Sequence, residues 1–290
     1  MILLTGATGT IGSELARLLS KRENTFRAYV RNLKKARELN IPHMDIFEGD
    51  LRDTKALDRA MLGISRVFLL SSPDPLQVEL QGNVVRAAKK AHVSLIVKQS
   101  AFGAGADSPV ALARWHWITE EDIKKSGVPY TILRPMMFMQ NLLMLAHDIG
   151  VEGLLRVPMG SAKSSLIDAR DIAKCAVKIL TGEGHTGKTY ELTGPEAISY
   201  DRIAEALSEV SGRRVTYVNT PLDEVNVEMI RNGLPKWLAD DICKLYEIFA
   251  TGKADRVTTS VRDITGEVAT DIRKFARDYS VVFTKEVIHH

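Results

Sequence analysis

Cysteine is almost missing from this sequence, which has only Cys175 and Cys243. Two cysteines so far apart in the chain cannot build a disulfide framework, and they lack the close spacing of a zinc-binding pair. We therefore expect a reducing compartment, no structural disulfide and no metal site.

Long apolar runs are missing as well. The most apolar stretch, MMFMQNLLMLA at 136–146, is bounded by Arg134 on one side and by His147 and Asp148 on the other. It is too short to span a membrane, which takes about 20 apolar residues. The chain begins with the apolar pattern MILLT, without the basic segment of a signal peptide. We expect a cytoplasmic protein without a membrane partner.

Charge of one sign is not concentrated anywhere. The 39 basic and 36 acidic residues leave a formal net charge of +3, and they are scattered without a long run of like charge. This pattern gives no reason to expect direct binding of nucleic acid. The hydrophobic content of 45% and the charged content of 26% are typical of a globular protein with a hydrophobic core.

What the sequence does contain is a regular alternation of strand and helix patterns over residues 1–135. The apolar runs MILLT, FRAYVRN, MDIFEGD, RVFLLSS, SLIVKQS and YTILRP predict strands, and the amphipathic segments between them predict helices. Nearly continuous apolar strands that alternate with helices are typical of a parallel sheet covered on both faces. The predicted fold class is α/β, with a doubly wound, Rossmann-type parallel sheet.

The pattern changes after Pro135. The segments SAKSSLIDARDIAKCAVKIL and KTYELTG have patterns typical of elements that return in part to the sheet. From Asp223 onward the pattern is almost wholly helical. We predict a Rossmann domain over 1–134, to which parts of 164–195 return. A smaller, mostly helical C-terminal lobe is predicted over 135–163 and 196–290. The end Val287–His290 carries no prediction.

A glycine-rich segment, TGATGTIG, joins the first predicted strand to the first predicted helix. Its glycines fit a tight turn whose backbone can approach a pyrophosphate, and the helix N-terminus that follows offers free N–H groups and a positive dipole end. The alternative is a glycine-rich turn without a ligand. The cofactor-binding candidates here are Gly6, Thr8, Gly9, Thr10, Ile11 and Gly12.

Arg31 follows the second predicted strand, about 20 positions after Gly12, where NAD-binding proteins carry an acidic residue for the ribose hydroxyls. Arg31, with Lys34 and Lys35 close behind, favours a 2′-phosphate instead. We therefore expect NADP(H) in preference to NAD(H). The alternative is a solvated basic helix start.

Polar residues also stand at the ends of later strands. Asp50 is placed to accept a hydrogen bond from an adenine amino group, with Leu51 against the ring, or it is a turn aspartate that caps the next helix. Ser71, Ser72 and Ser100 follow the fourth and fifth predicted strands, at the edge where open α/β sheets bind ligands. They are cofactor-binding candidates, or they serve only as turn formers.

Together these residues resemble a known family. TGATGTIG, VRN followed by Lys35, EGD, WHWITE, GVPYTILRP and GPEAISYDRIAEALSEVSGRRV are similar to segments of the NmrA-like, atypical short-chain dehydrogenases/reductases. Within that family the likeness is greatest to NADPH-dependent quinone oxidoreductases, triphenylmethane reductases and azoreductase-like proteins. The resemblance covers most of the chain and implies an NADP-binding Rossmann domain with a substrate-binding lobe. With it, Pro135 joins the cofactor-binding candidates and Phe102 the substrate-binding candidates.

Most short-chain dehydrogenases carry a Tyr and, four residues later, a Lys, and the resemblance places His116 and Glu120 there. Ketone reduction forms an alkoxide that needs a positioned acid. A quinone forms a phenolate, whose parent acid has a pKa of about 10, and a cationic triarylmethane dye needs no proton. The missing Tyr–Lys pair therefore favours quinones and cationic dyes over ketones as acceptors. His116 is a candidate for orienting or protonating the substrate, and Glu120 for fixing the His116 tautomer; alternatively, both only pair with neighbours.

The segment RPMMFMQN follows the sixth predicted strand. Its apolar side chains predict a flexible, polarizable wall suited to flat aromatic acceptors, although methionines at this spacing are also typical of an ordinary core. The substrate-binding candidates of this segment are Met136, Met137, Phe138 and Asn141, and Met139 belongs to the same wall.

Three functions remain as hypotheses. The first is an NADPH-dependent reductase of quinones or similar conjugated aromatic acceptors (dyes, azo compounds), with a homodimer left open. The second is a non-catalytic NAD(P)-binding redox sensor of the NmrA type that signals to a protein partner. The third, a sugar-nucleotide epimerase or classical dehydrogenase, is disfavoured by the missing Tyr–Lys pair. A reductase needs the methionine wall open to solvent, whereas a sensor needs an exposed patch for its partner.

Overall fold

The structure is a computed structural model that describes residues 1–284. The strands are β1 (Ile2–Thr5), β2 (Phe26–Val30), β3 (Met44–Glu48), β4 (Arg66–Leu69), β5 (Leu95–Gln99), β6 (Tyr130–Pro135), β7 (Leu154–Val157), β8 (Lys163–Ser164), β9 (Thr189–Leu192), β10 (Ile198–Ser199) and β11 (Thr216–Asn219). The α-helices are α1 (Thr10–Ser20), α2 (Leu33–Glu38), α3 (Thr54–Ala60), α4 (Gln77–Lys90), α5 (Ala111–Ser126), α6 (Ala169–Thr181), α7 (Tyr200–Ser211), α8 (Leu222–Arg231), α9 (Lys236–Ile248), α10 (Ser260–Thr265) and α11 (Ile272–Asp278). Short segments of 3₁₀ or π helix cover Met139–Leu145, Asp148–Glu152, Phe249–Lys253 and Ser280–Phe283.

The described chain divides into two compact units. The first unit comprises Met1–Pro135, Ala169–Leu192 and Ser260–Gly266, and the second comprises Met136–Asp168, Thr193–Thr259 and the residues from Glu267 onward. The predicted boundaries differ in one main place, because 260–266, predicted for the C-terminal lobe, lie with the first unit. The last positions of the predicted lobe, including Val287–His290, lie outside the described residues.

The first unit is built on a seven-stranded sheet in the order β3-β2-β1-β4-β5-β6-β9, and every neighbouring pair in it is parallel. The strand order reverses between β1 and β4: from β1 it continues through β2 to β3, and from β4 it continues in the opposite direction through β5 and β6 to β9. Ligands of open α/β sheets bind beyond the carboxyl ends of the strands at such a reversal. The predicted Rossmann-type sheet is confirmed.

Helices cover both faces of this sheet. On one face, α1 packs against α6. On the other, alternate sheet side chains such as Val67 and Leu69 meet α3, α4 and α5 in a buried cluster with Leu57, Val84 and Ile123. Because successive strand side chains point to opposite faces, a strand buried on both sides is apolar throughout. This explains the nearly continuous apolar runs, and it confirms the doubly wound arrangement.

Local polar residues fix where several helices begin. The side chains of Asn32, Asp53, Ser199 and Asp271 accept a backbone hydrogen bond at the first turns of α2, α3, α7 and α11. Such caps satisfy N–H groups that have no partner inside the helix. Helix α5 ends at Gly127, whose φ of 79° is in the left-handed region that favours glycine.

The second unit is mostly helical, as predicted, but it also contains short strands. β8 pairs with β10 in an antiparallel manner, and β7 pairs with β11 in parallel. These strands were not predicted from the sequence, because segments of two to four residues show no usable periodicity. Among residues 1–284, no helix combines the length and apolar character that a membrane span requires.

Candidate functional site

The glycine-rich segment forms a tight turn between β1 and α1. Gly6 has a φ of 69°, and the Gly9 N–H donates to the Gly6 carbonyl oxygen at 3.0 Å. A Cβ at Gly12 would collide with the backbone of Gly6 and Ala7. Thr5 Oγ1 donates to the Leu70 carbonyl at 2.6 Å, which holds this turn against the segment that follows β4. Gly6 and Gly12 are therefore required by the packing of the turn itself.

The N-terminus of α1 fits a phosphate group. Gly9 occupies the N-cap without a capping side chain, and the first turn of α1 carries no acidic residue. The N–H groups and positive end of the helix dipole are then available to an anion. Thr8 is half-buried and Thr10 is exposed, whereas the Ile11 side chain lies in the core. Ile11 can thus contribute only its backbone to a bound ligand.

Arg31 lies directly after β2, and both Arg31 and Lys35 are exposed. The Asn32 side chain accepts the Lys35 N–H at 2.9 Å and so fixes the start of α2 beside Arg31. Two cations are in this way placed at the carboxyl edge of the sheet, in the same unit as the glycine-rich turn. An arginine at this position can accommodate a 2′-phosphate, and that role of Arg31 stays a prediction.

Asp50 is engaged in a local turn after β3. Its carboxylate accepts the Arg52 N–H at 2.8 Å, and the cap of α3 is Asp53 rather than Asp50. The Tyr29 hydroxyl donates to the Asp50 carbonyl oxygen at 2.8 Å, and burial raises the pKa of Tyr29 to about 12, so it remains a donor. Leu51 is packed against the core cluster. A role for Asp50 and Leu51 at an adenine ring stays a prediction.

Two buried glutamines of α4, Gln77 and Gln81, were not among the sequence-based candidates, and Gln81 contacts the segment after β4. Gln81 donates to Ser71 Oγ at 2.7 Å, while Ser72 is exposed. Within residues 1–284, Gln77 Nε2 and Gln81 Oε1 have no hydrogen-bond partner although both side chains are buried. Buried polar atoms without a partner are costly, so a ligand or ordered water beside this segment fits them.

A buried polar cluster lies between β5, β6 and α5, and it consists of Lys98, Ser100, His116, Glu120 and Arg134. Glu120 is completely buried, and its carboxylate accepts both Nε and Nη2 of Arg134, at 2.9 and 2.5 Å. Ser100 Oγ donates to the same carboxylate at 2.5 Å. Ser100 is therefore committed to Glu120 and is itself completely buried.

Lys98 is the member of the buried polar cluster that contacts His116. Its Nζ lies 3.0 Å from His116 Nδ1, and it also donates to the Gln99 carbonyl oxygen. Lys98 is completely buried and pairs in register with Leu69, the last residue of β4, and with Ile132 of β6. While Lys98 is protonated it has only donors, so Nδ1 then accepts and the ring proton resides on Nε2.

This environment lowers the pKa values of both Lys98 and His116. Burial lowers the pKa of Lys98 to about 7, although the Glu120 carboxylate acts in the opposite direction. Burial and then the nearby Lys98 ammonium hold the pKa of His116 well below its usual value. His116 as a residue is half-buried, and its Nδ1 lies beside the buried Lys98 ammonium. His116 is therefore neutral at physiological pH, while Lys98 is easily deprotonated.

The contact at His116 Nδ1 comes from Lys98, whereas the Glu120 carboxylate binds Arg134 and Ser100. Of the two alternatives for Glu120, this geometry favours pairing with neighbours over fixing the His116 tautomer. Sequence spacing brings residues four apart to one helix face, yet it says nothing of a strand beneath that face. A lysine inside the apolar run SLIVKQS was the available signal.

The candidate substrate residues are divided between the core and the surface of their units. In the second unit, Met136 and Met139 are buried, which favours the core alternative for these two. Met137 and Phe138 are half-buried, and Asn141 is exposed. In the first unit, the Phe102 N–H donates to the carbonyl oxygen of the buried Pro135 at 2.9 Å, and this hydrogen bond fixes the segment after β5. Their contact with a substrate or cofactor stays a prediction.

The chain belongs to the NmrA-like family, whose family model matches residues 1–282. This confirms the resemblance seen in the sequence. An NAD(P)H azoreductase of Xenophilus azovorans is 40% identical over 283 residues, which cover 98% of this chain and 99% of that protein.

Two solved structures are similar along nearly the whole chain. One is an NADPH-dependent quinone oxidoreductase of Escherichia coli in complex with NADPH, with a TM-score of 0.85, 30% identity, and coverage of 96% of this chain and 99% of that one. The other is the triphenylmethane reductase of Citrobacter sp. in complex with NADP(H), with a TM-score of 0.84, 28% identity and the same coverage. The relatives are thus reductases that use a nicotinamide dinucleotide.

Proposed function

We propose that this protein, an NAD(P)H-dependent oxidoreductase, transfers hydride from NADPH to quinones or similar conjugated aromatic acceptors. The observation that carries the proposal is His116, a neutral imidazole held by Lys98 where classical enzymes of the superfamily carry tyrosine. It lies in the same unit as a glycine turn and helix N-terminus that fit a pyrophosphate. The relatives named above support the same class of reaction.

The cofactor is proposed to bind along the carboxyl edge of the first unit's sheet. The α1 N-terminus would hold the pyrophosphate, and Arg31 with Lys35 would hold the 2′-phosphate, which favours NADPH over NADH. When bound, the cofactor supplies a hydride, and the protein supplies position and electrostatics. The orphaned amide groups of Gln77 and Gln81 would find partners along the same edge.

The acceptor class follows from how basic the reduced acceptor is. The alkoxide formed from an ordinary ketone needs a positioned acid, and the Tyr–Lys pair that supplies it in classical enzymes of the superfamily is missing from this chain. The phenolate formed from a quinone is far less basic, with a parent pKa of about 10. A cationic triarylmethane dye becomes neutral on taking up hydride. Azo compounds, which the similar azoreductase is named for, belong to the same group of flat conjugated acceptors.

The test follows NADPH absorbance with purified protein across a panel of quinones, triarylmethane dyes and azo dyes, with NADH in parallel. We expect turnover of at least one class, with NADPH preferred. His116→Ala should reduce quinone turnover at least tenfold. The matched control is His147→Ala, at an exposed histidine of the second unit. Tight NADPH binding without consumption of any acceptor would contradict the proposal and support the redox sensor.

A further inference from the structure

We infer that Lys98 and His116 form a two-residue proton relay, in which Lys98 is a positioning residue that reloads His116 while His116 protonates the reduced acceptor. The inference rests on the proposed function and extends it to acceptors that need a proton. It assigns a role to a buried lysine that neither the glycine-rich turn nor the basic residues after β2 explain.

The geometry supplies each part of such a relay. Lys98 Nζ lies 3.0 Å from His116 Nδ1, within hydrogen-bonding distance. With Nδ1 accepting from the ammonium, Nε2 carries the ring proton on the opposite side of the imidazole. Lys98 lies one residue from the end of β5, at the edge where the cofactor is proposed to bind.

The groups around Lys98 explain why it can both hold and release a proton. Its own strand contributes the Gln99 carbonyl oxygen, α5 contributes His116 and the Glu120 carboxylate, and β6 contributes Arg134, which is bound to that carboxylate. Because Arg134 and Ser100 already occupy Glu120, its negative charge compensates Lys98 only in part. Burial therefore lowers the pKa of Lys98 to about 7 despite the Glu120 carboxylate, and this value is below that of a phenol, which is about 10.

The proton transfers balance as follows. Hydride addition to a quinone leaves a hydroquinone monoanion with one basic oxygen. The His116 Nε2–H bond breaks as the new O–H bond forms, and a Lys98 N–H bond breaks as Nδ1–H forms. The imidazole remains neutral in its other tautomer, and Lys98 becomes a neutral amine. One proton from solvent restores the starting state. Neither step needs an imidazolium, which the low pKa of His116 makes scarce.

The first test does not depend on activity. In wild-type protein labelled with ¹⁵N-histidine, NMR distinguishes the two neutral tautomers of His116, and His116→Gln identifies its signals. We expect the Nε2–H tautomer at pH 6 and a change in the ring signals with a midpoint near the Lys98 pKa of about 7. Lys98→Met should abolish that change, whereas Lys125→Met, at an exposed position of α5, should preserve it.

The second test compares an acceptor that needs a proton with one that does not. For Lys98→Met, we expect the ratio of kcat for a quinone to kcat for a cationic triarylmethane dye to fall at least tenfold. In the wild type the same ratio should decrease as pH rises through about 7, because Lys98 loses the proton that it relays. Circular dichroism and NADPH affinity would report whether the variant is folded.

Failure of the proton relay and failure of the proposed function would give different experimental results. The relay is overturned if His116 carries its proton on Nδ1 at pH 6, if it titrates like a free histidine, or if folded Lys98→Met loses both acceptors equally. The proposed function fails instead if the wild-type protein consumes NADPH with no acceptor at all.

Discussion

The glycine-rich turn and the buried polar cluster lie in the same unit, but they are built on opposite principles. The turn before α1 presents backbone N–H groups and uses glycines where a Cβ would collide. The buried polar cluster places the charged groups of Lys98 and Glu120 in the interior, with Arg134 beside them. The first region can hold an anion without burying any charged side chain, whereas the second buries charge, which costs free energy.

This difference indicates which function each region can perform. A backbone cradle is rigid and insensitive to pH. A cluster of buried titratable groups has altered pKa values, and such groups occur preferentially at functional sites. We therefore assign binding to the turn and proton chemistry to the buried polar cluster, and each of the following predictions tests one side of that division.

The largest effect is expected at Glu120. Glu120→Ala leaves Lys98 and Arg134 without their carboxylate, and breaking a buried ion pair typically costs about 3–5 kcal/mol. We expect a loss near about 3 kcal/mol, because the Arg134 side chain is still 21% exposed. Urea unfolding would measure it. In the matched control, Glu121→Ala removes an exposed pair with Lys124 and should cost less than about 1 kcal/mol. Equal losses would contradict the assignment.

Lys98→Met should stabilise the protein at neutral pH. The unfolded chain keeps the lysine proton up to about pH 10.4, whereas the folded protein releases it near pH 7. Wild-type stability should therefore rise between about pH 7 and 10. Replacing buried charges by apolar residues often gains about 1–4 kcal/mol, so we expect Met to gain an amount in this range at pH 7 and progressively less toward pH 10. A stability difference that does not change with pH would disprove the shifted lysine.

In the glycine-rich turn, Gly12→Ala and Gly9→Ala should separate packing from ligand binding. The Cβ of Gly12→Ala meets backbone atoms, so we expect a loss of about 1–3 kcal/mol in the free energy of unfolding without cofactor. At Gly9 the nearest atom is 3.4 Å away, and the loss should stay below about 1 kcal/mol. NADPH affinity, measured by calorimetry, should fall in both. Unchanged affinity for Gly9→Ala would remove this turn from the cofactor site.

At Arg31 the expected effect is on the choice of cofactor. A hydrogen bond to a charged group contributes about 1.5–3 kcal/mol, so Arg31→Ala should weaken NADPH binding about tenfold or more and leave NADH binding unchanged. Arg37→Ala, at an exposed position of α2, serves as the control. A parallel loss for NADH would show that Arg31 does not select the 2′-phosphate.

Local signals made part of this molecule predictable. The first six strands follow from their apolar runs, and the turn before α1 follows from its glycines, because each depends on neighbouring residues in the chain. Lys98 and His116 are 18 positions apart and meet only after β5 lies under α5, which no periodicity reveals. The short strands β8 and β10 depend likewise on pairing between distant segments.

Hydride transfer to the acceptor is tested most directly in a single-turnover reaction, in which the NADPH complex of the wild-type protein is mixed rapidly with a quinone. We expect NADPH absorbance to fall in step with hydroquinone formation, and to fall more slowly in His116→Ala. NADPH that remains bound and unoxidised in the presence of quinone and dye would contradict this expectation, and the protein would then be a sensor of the cofactor rather than a reductase.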